Sequence, residues 1–182
     1  MSFLADLSDV DLVSIGLLQR ILLVTDGTLT DILQVAFLEP IGVLKLAMDV
    51  GKTFMPFEPL ELQPGEARMK RSILLYGQNT GNNYVYAEST VALDRLPKGF
   101  SQELVDSNKP IGRLWSEYGV ETRKEFLNVS KCAPPELSKY FNSSAANELF
   151  LKRSYRLVTS GLPVIVITEY FPDTYSVRLR QQ

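Results

Sequence analysis

The stretch ELFLKRSYRLVTSGLPVIVITEYF, near the C-terminal end, holds two runs of β-forming residues. They are joined by Ser160-Gly161-Leu162-Pro163, which leaves room only for a tight hairpin. The same pattern occurs earlier. ARMKRSILLYG and NNYVYAESTVAL flank the polar run Gly77-Gln78-Asn79-Thr80-Gly81-Asn82-Asn83, a hairpin loop by composition. Parallel strands need a crossover of a dozen or more residues, and these joints are too short for one. The pattern therefore predicts an antiparallel sheet.

IGVLKLAMDV and GVETRKEFLNV read as further strands, which brings the total to about six. Two helices precede them. Ser8-Asp9-Val10-Asp11 supplies cap residues ahead of an apolar periodicity running to about Leu22, and Thr25-Asp26-Gly27 stops it. Thr28 then caps TLTDILQVAF, which ends at Pro40. LPKGFSQELVDSNKP reads as a connector with one short helix, and PPELSKYF as a short helix opened by proline. The expectation is an α+β fold, a single antiparallel sheet with helices packed on it, in one domain over residues 1–182.

Composition narrows the chemistry more than the fold. The chain has no histidine and one cysteine, Cys132. Ser-His-Asp and Cys-His catalysis are excluded, as is a zinc site built on imidazole. Carboxylates, Arg, Lys, Tyr and backbone groups remain. The net charge of −2 offers no basic field for nucleic acid or an anionic membrane. No apolar run approaches the length of a bilayer span, and MSFLADLSD lacks the basic start of a secretory signal. A single thiol suits a reducing compartment. The expectation is a cytoplasmic protein, monomer or homodimer, acting on a small molecule.

LLVTDGTLTD resembles the start of haloacid dehalogenase-type phosphatases, D-x-D-G-T. The position of their nucleophilic aspartate is Val24, which has no lone pair to attack with. That reading is rejected, and Asp26-Gly27-Thr28 is read as a helix stop and cap.

Alternate residues of a strand share a face. Met69, Arg71, Ile73 and Leu75 form one such row; Ile165, Ile167, Glu169 and Phe171 a second; Leu149, Leu151, Arg153, Tyr155 and Leu157 a third. Each row carries a single charge. A charge on an apolar face is costly unless it is paired. Either Glu169 pairs with Arg71 or Arg153 for structural reasons, or the three line a closed anion-binding pocket. Periodicity leaves both readings open. Tyr84, Tyr86 and Trp115 are read as packing residues.

RSILLYG, YVYAESTV, KPIGRLW and RSYRLVTSGLPVIVITEYFP, in that order, resemble the chorismate lyase family, and the early DGTLTDIL resembles its Gly-Ser/Thr-Met-Thr helix start. The similarity spans about residues 20–175 and is nearest the cyanobacterial and archaeal branch. The resemblance implies a cofactor-free, metal-free conversion of chorismate to 4-hydroxybenzoate and pyruvate. It places Arg71 at the grip on the ring carboxylate and Glu169 opposite the ring hydroxyl. Ile111, in a Pro-Ile-Gly turn with Gly112, stands where a backbone group meets the ligand. Leu29 stands at an apolar contact where the family often has Met. Strand phase adds Arg153 as a partner for the enolpyruvyl carboxylate. The rival expectation is a non-catalytic effector-binding module, as in the sensor domains of some GntR-type regulators. Those carry a DNA-binding domain ahead of the module, whereas about two dozen residues precede DGTLTD here.

Overall fold

The computed structural model describes residues 10–107, 109–141, 149–173 and 175. Six strands form one fully antiparallel sheet in the order β1-β2-β3-β6-β5-β4. They are β1 (Ile41–Lys52), β2 (Ala67–Gly77), β3 (Asn83–Ala92), β4 (Arg123–Cys132), β5 (Phe150–Thr159) and β6 (Leu162–Pro172). The helices are α1 (Leu17–Val24), α2 (Leu29–Phe37), α3 (Lys98–Asp106), α4 (Ile111–Tyr118) and α5 (Pro135–Ser138).

The expected α+β architecture is what the chain adopts, with three local corrections. The last hairpin is tighter than the sequence suggested. Ser160 and Gly161 alone form the turn, at φ of 50° and 80°, and Thr159 pairs with Leu162. Two successive positive φ angles give the hairpin twist that matches the flanking strands. Leu162 and Pro163 therefore belong to β6, and Pro163 is tolerated beside a register shift.

The first helix is not continuous. Asp11 caps a single 3-10 turn over Leu12–Ser14, and Gly16 in an extended conformation separates it from α1. Ser8 and Asp9, expected as caps, lie outside the described residues. Thr28 stands at the N-cap of α2, but its side chain makes no capping bond.

The third correction bears on function. Ile111-Gly112, read as a turn, opens α4, with Pro110 at the N-cap. A glycine in a short segment weakens any helix reading of the sequence. Here it permits close approach, because a Cβ on Gly112 would lie 3.0 Å from Thr28 Cγ2. The first turns of α4 and α2 thus meet above the sheet.

Cross-strand pairing carries each side chain row across the sheet. Arg71 pairs with Ser89, Ser89 with Ile167, Ile167 with Tyr155, and Tyr155 with Phe126. The adjoining row runs Ile73, Ala87, Glu169, Arg153, Val129. At one end of this face, α1 and α2 bury Leu22, Leu23 and Leu33 against Leu75, Val85, Leu151 and Phe171. At the other end, α3 and α4 bury Phe100, Leu104 and Leu114 against Met69, Val91, Leu157 and Ile165. Each fully buried leucine contributes on the order of 1.5–3 kcal/mol. The charged rows fall between the two apolar clusters. The opposite face is covered by α5 and by the Phe57–Leu62 segment. No helix among the described residues is long and apolar enough to cross a membrane.

Candidate active site

The gap between the two apolar clusters is a cavity of about 540 Å³. Its floor is the sheet and its roof is the meeting of α2 and α4. All six residues singled out in the sequence line it: Leu29, Arg71, Ile111, Gly112, Arg153 and Glu169. They come from α2, β2, α4, β5 and β6, so only the tertiary fold brings them together.

Arg71 is 5% exposed and makes no ion pair among the described residues. Its Nε is buried without a hydrogen-bond partner among them. Burial alone lowers its pKa to about 10, with no nearby carboxylate to oppose the shift. A guanidinium is still protonated at neutral pH. A buried cation with no carboxylate partner among the described residues thus faces a cavity, an arrangement that favours an anionic ligand.

Arg153 has the opposite surroundings. It lies directly across the strand pair from Glu169, and its Nε donates to Glu169 Oε2 at 2.5 Å. One terminal nitrogen donates to the Leu22 and Thr25 carbonyls at the end of α1. Burial works against the Arg153 charge, but the neighbouring Glu169 outweighs it and raises the pKa above its ordinary value. Tyr155 donates its hydroxyl to Glu169 Oε1 at 2.9 Å. Burial, and next the Glu169 charge, push the Tyr155 phenol well above its usual range. Both Glu169 oxygens are thus held in place, and each retains a free lone pair for a ligand.

Of the two pairings the sequence left open, the structure adopts Glu169–Arg153. The pair and the cavity coexist, since both residues also line the space. Tyr84 and Tyr86 pack in the core, as expected. Trp115 packs on Phe100 but also lines the cavity, with its indole N–H buried and unpartnered among the described residues. Tyr155, Thr28, Ser89 and Lys124 also line the cavity, beyond the residues expected there from the sequence. Tyr155 stood beside Arg153 in the same apolar row, which was its signal. Lys124 shared the Phe126 face of β4, but one basic residue in RKEF has no pattern that separates it from a solvated charge. Among the described residues no cluster of His, Cys, Asp or Glu has the makings of a metal site.

The solved structures most alike in shape include PhnF from Mycobacterium smegmatis, at a TM-score of 0.64 and 11% identity over 82% of this chain. That match spans 65% of the PhnF chain, just under two thirds of it. The ligand-binding domain of a GntR-family regulator from Bordetella bronchiseptica follows at 0.57 and 18% identity, over 72% of this chain and 85% of that one. These likenesses establish the fold. Sequence relatives are nearer. A chorismate pyruvate-lyase of Mycobacterium tuberculosis H37Rv is 31% identical over 91% of this chain and 84% of its own length. That of Mycobacterium leprae is 34% identical over 84% and 72%. The family model described as "Chorismate pyruvate-lyase Rv2949c-like" matches residues 23–178, from the end of α1 past the end of β6 and so across every strand that floors the cavity. By that match and those relatives, the chain belongs to the Rv2949c-like chorismate pyruvate-lyase family.

Proposed function

We propose that this protein is itself a chorismate pyruvate-lyase, converting chorismate to 4-hydroxybenzoate and pyruvate without a cofactor. The observation that carries the reading is Arg71, a buried cation lining a cavity and lacking a counter-ion among the described residues. An acid on an apolar ring supplies both the missing charge and the apolar fill that Ile73, Leu157 and Ile167 accept. The ring carboxylate meets the Arg71 fork, for which a bidentate geometry is available. Leu29 and Ile111 hold the ring. The first turn of α4 offers leading N–H groups that have no acceptor within the helix.

In the reaction, the C4–H bond breaks and its electrons form the new ring double bond to C3. The C3–O bond breaks, and the ether oxygen becomes the ketone of pyruvate. The enol methylene receives the hydrogen and becomes the methyl group. The six atoms involved form a ring, so the substrate carries its own route for the hydrogen. Aromatisation drives the step. The residues orient the substrate and exclude water. Glu169, held by Arg153 and Tyr155, accepts a hydrogen bond from the C4 hydroxyl.

The fold likeness to regulator domains favours one other reading, a non-catalytic effector-binding module. The relatives at 31–34% identity favour the lyase. The deciding assay is purified protein with chorismate and EDTA. Equimolar 4-hydroxybenzoate and pyruvate are expected. Binding of either ligand with no turnover selects the effector module, and salicylate as product overturns the regiochemistry.

A further inference from the structure

Lys124 gives the cavity a third cation. Its side chain is 11% exposed, and its ammonium lies 4.6 Å from the centre of the Tyr155 ring. Among the described residues it makes one hydrogen bond, 2.8 Å to the Thr25 carbonyl, and lies 3.8 Å from the exposed Asp26 carboxylate. An ammonium has three donors, so two remain available. Burial, and next the repulsion of Arg153, hold the Lys124 amine below its ordinary pKa, so its charge is under-compensated as well.

The buried charges around the cavity are Arg71 and Arg153 against Glu169, and the partly buried Lys124 adds another, two positive charges in excess. Arg123 and Asp26 stand at the rim, 71% and 80% exposed, and are screened by water. Arg153 is already neutralised by Glu169 and has committed its Nε and one terminal nitrogen. Among the described residues the charges with no buried counter-ion are thus Arg71 on β2 and Lys124 on β4. Four strand spacings separate β2 from β4, about 19 Å along the sheet. Lys124 leans inward over Tyr155 of the next strand, which brings its ammonium nearer to Arg71 than the strand spacing alone, toward the span of a small dicarboxylate.

We propose that Lys124 binds the second carboxylate of the substrate, on the enolpyruvyl arm, and so makes the site selective for a dianion. The inference rests on the lyase reading. After cleavage that carboxylate leaves with pyruvate, and the aromatic product keeps only the acid that faces Arg71. Lys124 thus distinguishes substrate from product, and Arg71 serves both.

The test compares Lys124→Met and Lys124→Arg with the wild type, reading KM and kcat for chorismate, Kd for 4-hydroxybenzoate, and Tm. Lys124→Met is expected to raise KM about 30-fold or more, as for removal of a buried charge partner. Its product Kd stays within about twofold of wild type, because one unused cation does not touch the monoacid. Lys124→Arg recovers most of the KM. An unchanged KM overturns the proposal. So does a product Kd that weakens in parallel with KM, which is the mark of a lysine that only ties Thr25 to the sheet. If the wild type binds but does not turn over chorismate, the lyase reading fails alone, and the Kd values for chorismate and 4-hydroxybenzoate still judge Lys124. A wild type that binds neither overturns both.

Discussion

Arg71 and Arg153 lie on the same face of one sheet, 5% and 1% exposed, and differ in almost everything around them. Arg153 belongs to the β4-β5-β6 half. There a carboxylate, a phenol and two main-chain carbonyls meet around it, and its charge is satisfied before any ligand arrives. Arg71 belongs to the β1-β2-β3 half. It faces Ser89 across the strand pair and lines the cavity with no carboxylate partner among the described residues. A buried charge that is paired contributes to holding the fold together. One that is not destabilises the free protein and is completed by what binds. The contrast separates the part of the cavity that is finished from the part that awaits a ligand.

The largest expected effect comes from breaking the finished half. Arg153→Met leaves Glu169 buried and unpaired, and should cost about 3–5 kcal/mol of stability. The double variant Arg153→Met/Glu169→Leu should recover most of that loss, since an apolar replacement of a buried pair is often neutral or better. Denaturant midpoints for the wild type, single and double variants measure this. A double variant no more stable than the single would mean that Arg153 acts through its bonds to Leu22 and Thr25 rather than through the pair.

Next comes the unfinished half, where stability and binding should move in opposite directions. Arg71→Met removes an uncompensated charge, so the free protein should melt no lower than wild type. Affinity for 4-hydroxybenzoate should fall by about 2–5 kcal/mol. Arg71→Lys keeps the charge without the planar fork and should fall in between. Calorimetric titration and thermal melting on the same preparations decide it. Unchanged product affinity in a folded Arg71→Met protein would remove Arg71 from the site.

The smallest effect sharpens the contrast at Glu169 itself. Glu169→Gln keeps one acceptor oxygen, for Tyr155 and the substrate hydroxyl, but turns an amide N–H toward Arg153. Tm should therefore fall with the lost pair, and the small effect is the one on turnover. If hydrogen bonding is its role, turnover should fall by less than about tenfold. Loss of a proton-transfer group would instead reduce the rate by about 10²–10⁴-fold with binding little changed. Turnover, product affinity and Tm for Glu169→Gln beside wild type distinguish the two, and the larger loss would replace the internal hydrogen route with one through Glu169.

How much of this was legible beforehand depended on the range over which each signal acts. Strand phase placed Arg71, Arg153 and Glu169 on buried rows, because a strand's period of two fixes which side chains share a face whatever packs above them. Phase says nothing about which strand lies next to which. The pairing of Glu169 with Arg153 rather than Arg71 followed from β6 lying between β3 and β5. With β6 there, Glu169 faces Arg153 on one side and Ala87 on the other. Lys124 shows the opposite limit. Nothing local marks it, and it reaches the cavity because the edge strand β4 carries it beneath the α1–α2 connection, whose Thr25 carbonyl it meets.

By itself the sequence determined the antiparallel sheet, through hairpin joints too short for a crossover. It determined the amphipathic rows, and it excluded histidine and multi-thiol chemistry through residues it lacks. It also carried four motifs whose order marks the family. The tertiary structure decided the strand order, the closure of α4 over α2 at Gly112, and hence which charges are neutralised and which face an open space. The physical reason is one of range. Backbone dihedrals and side chain alternation are fixed within a few residues. The electrostatic state of a buried charge depends on groups brought within about 4–6 Å by segments far apart in the chain.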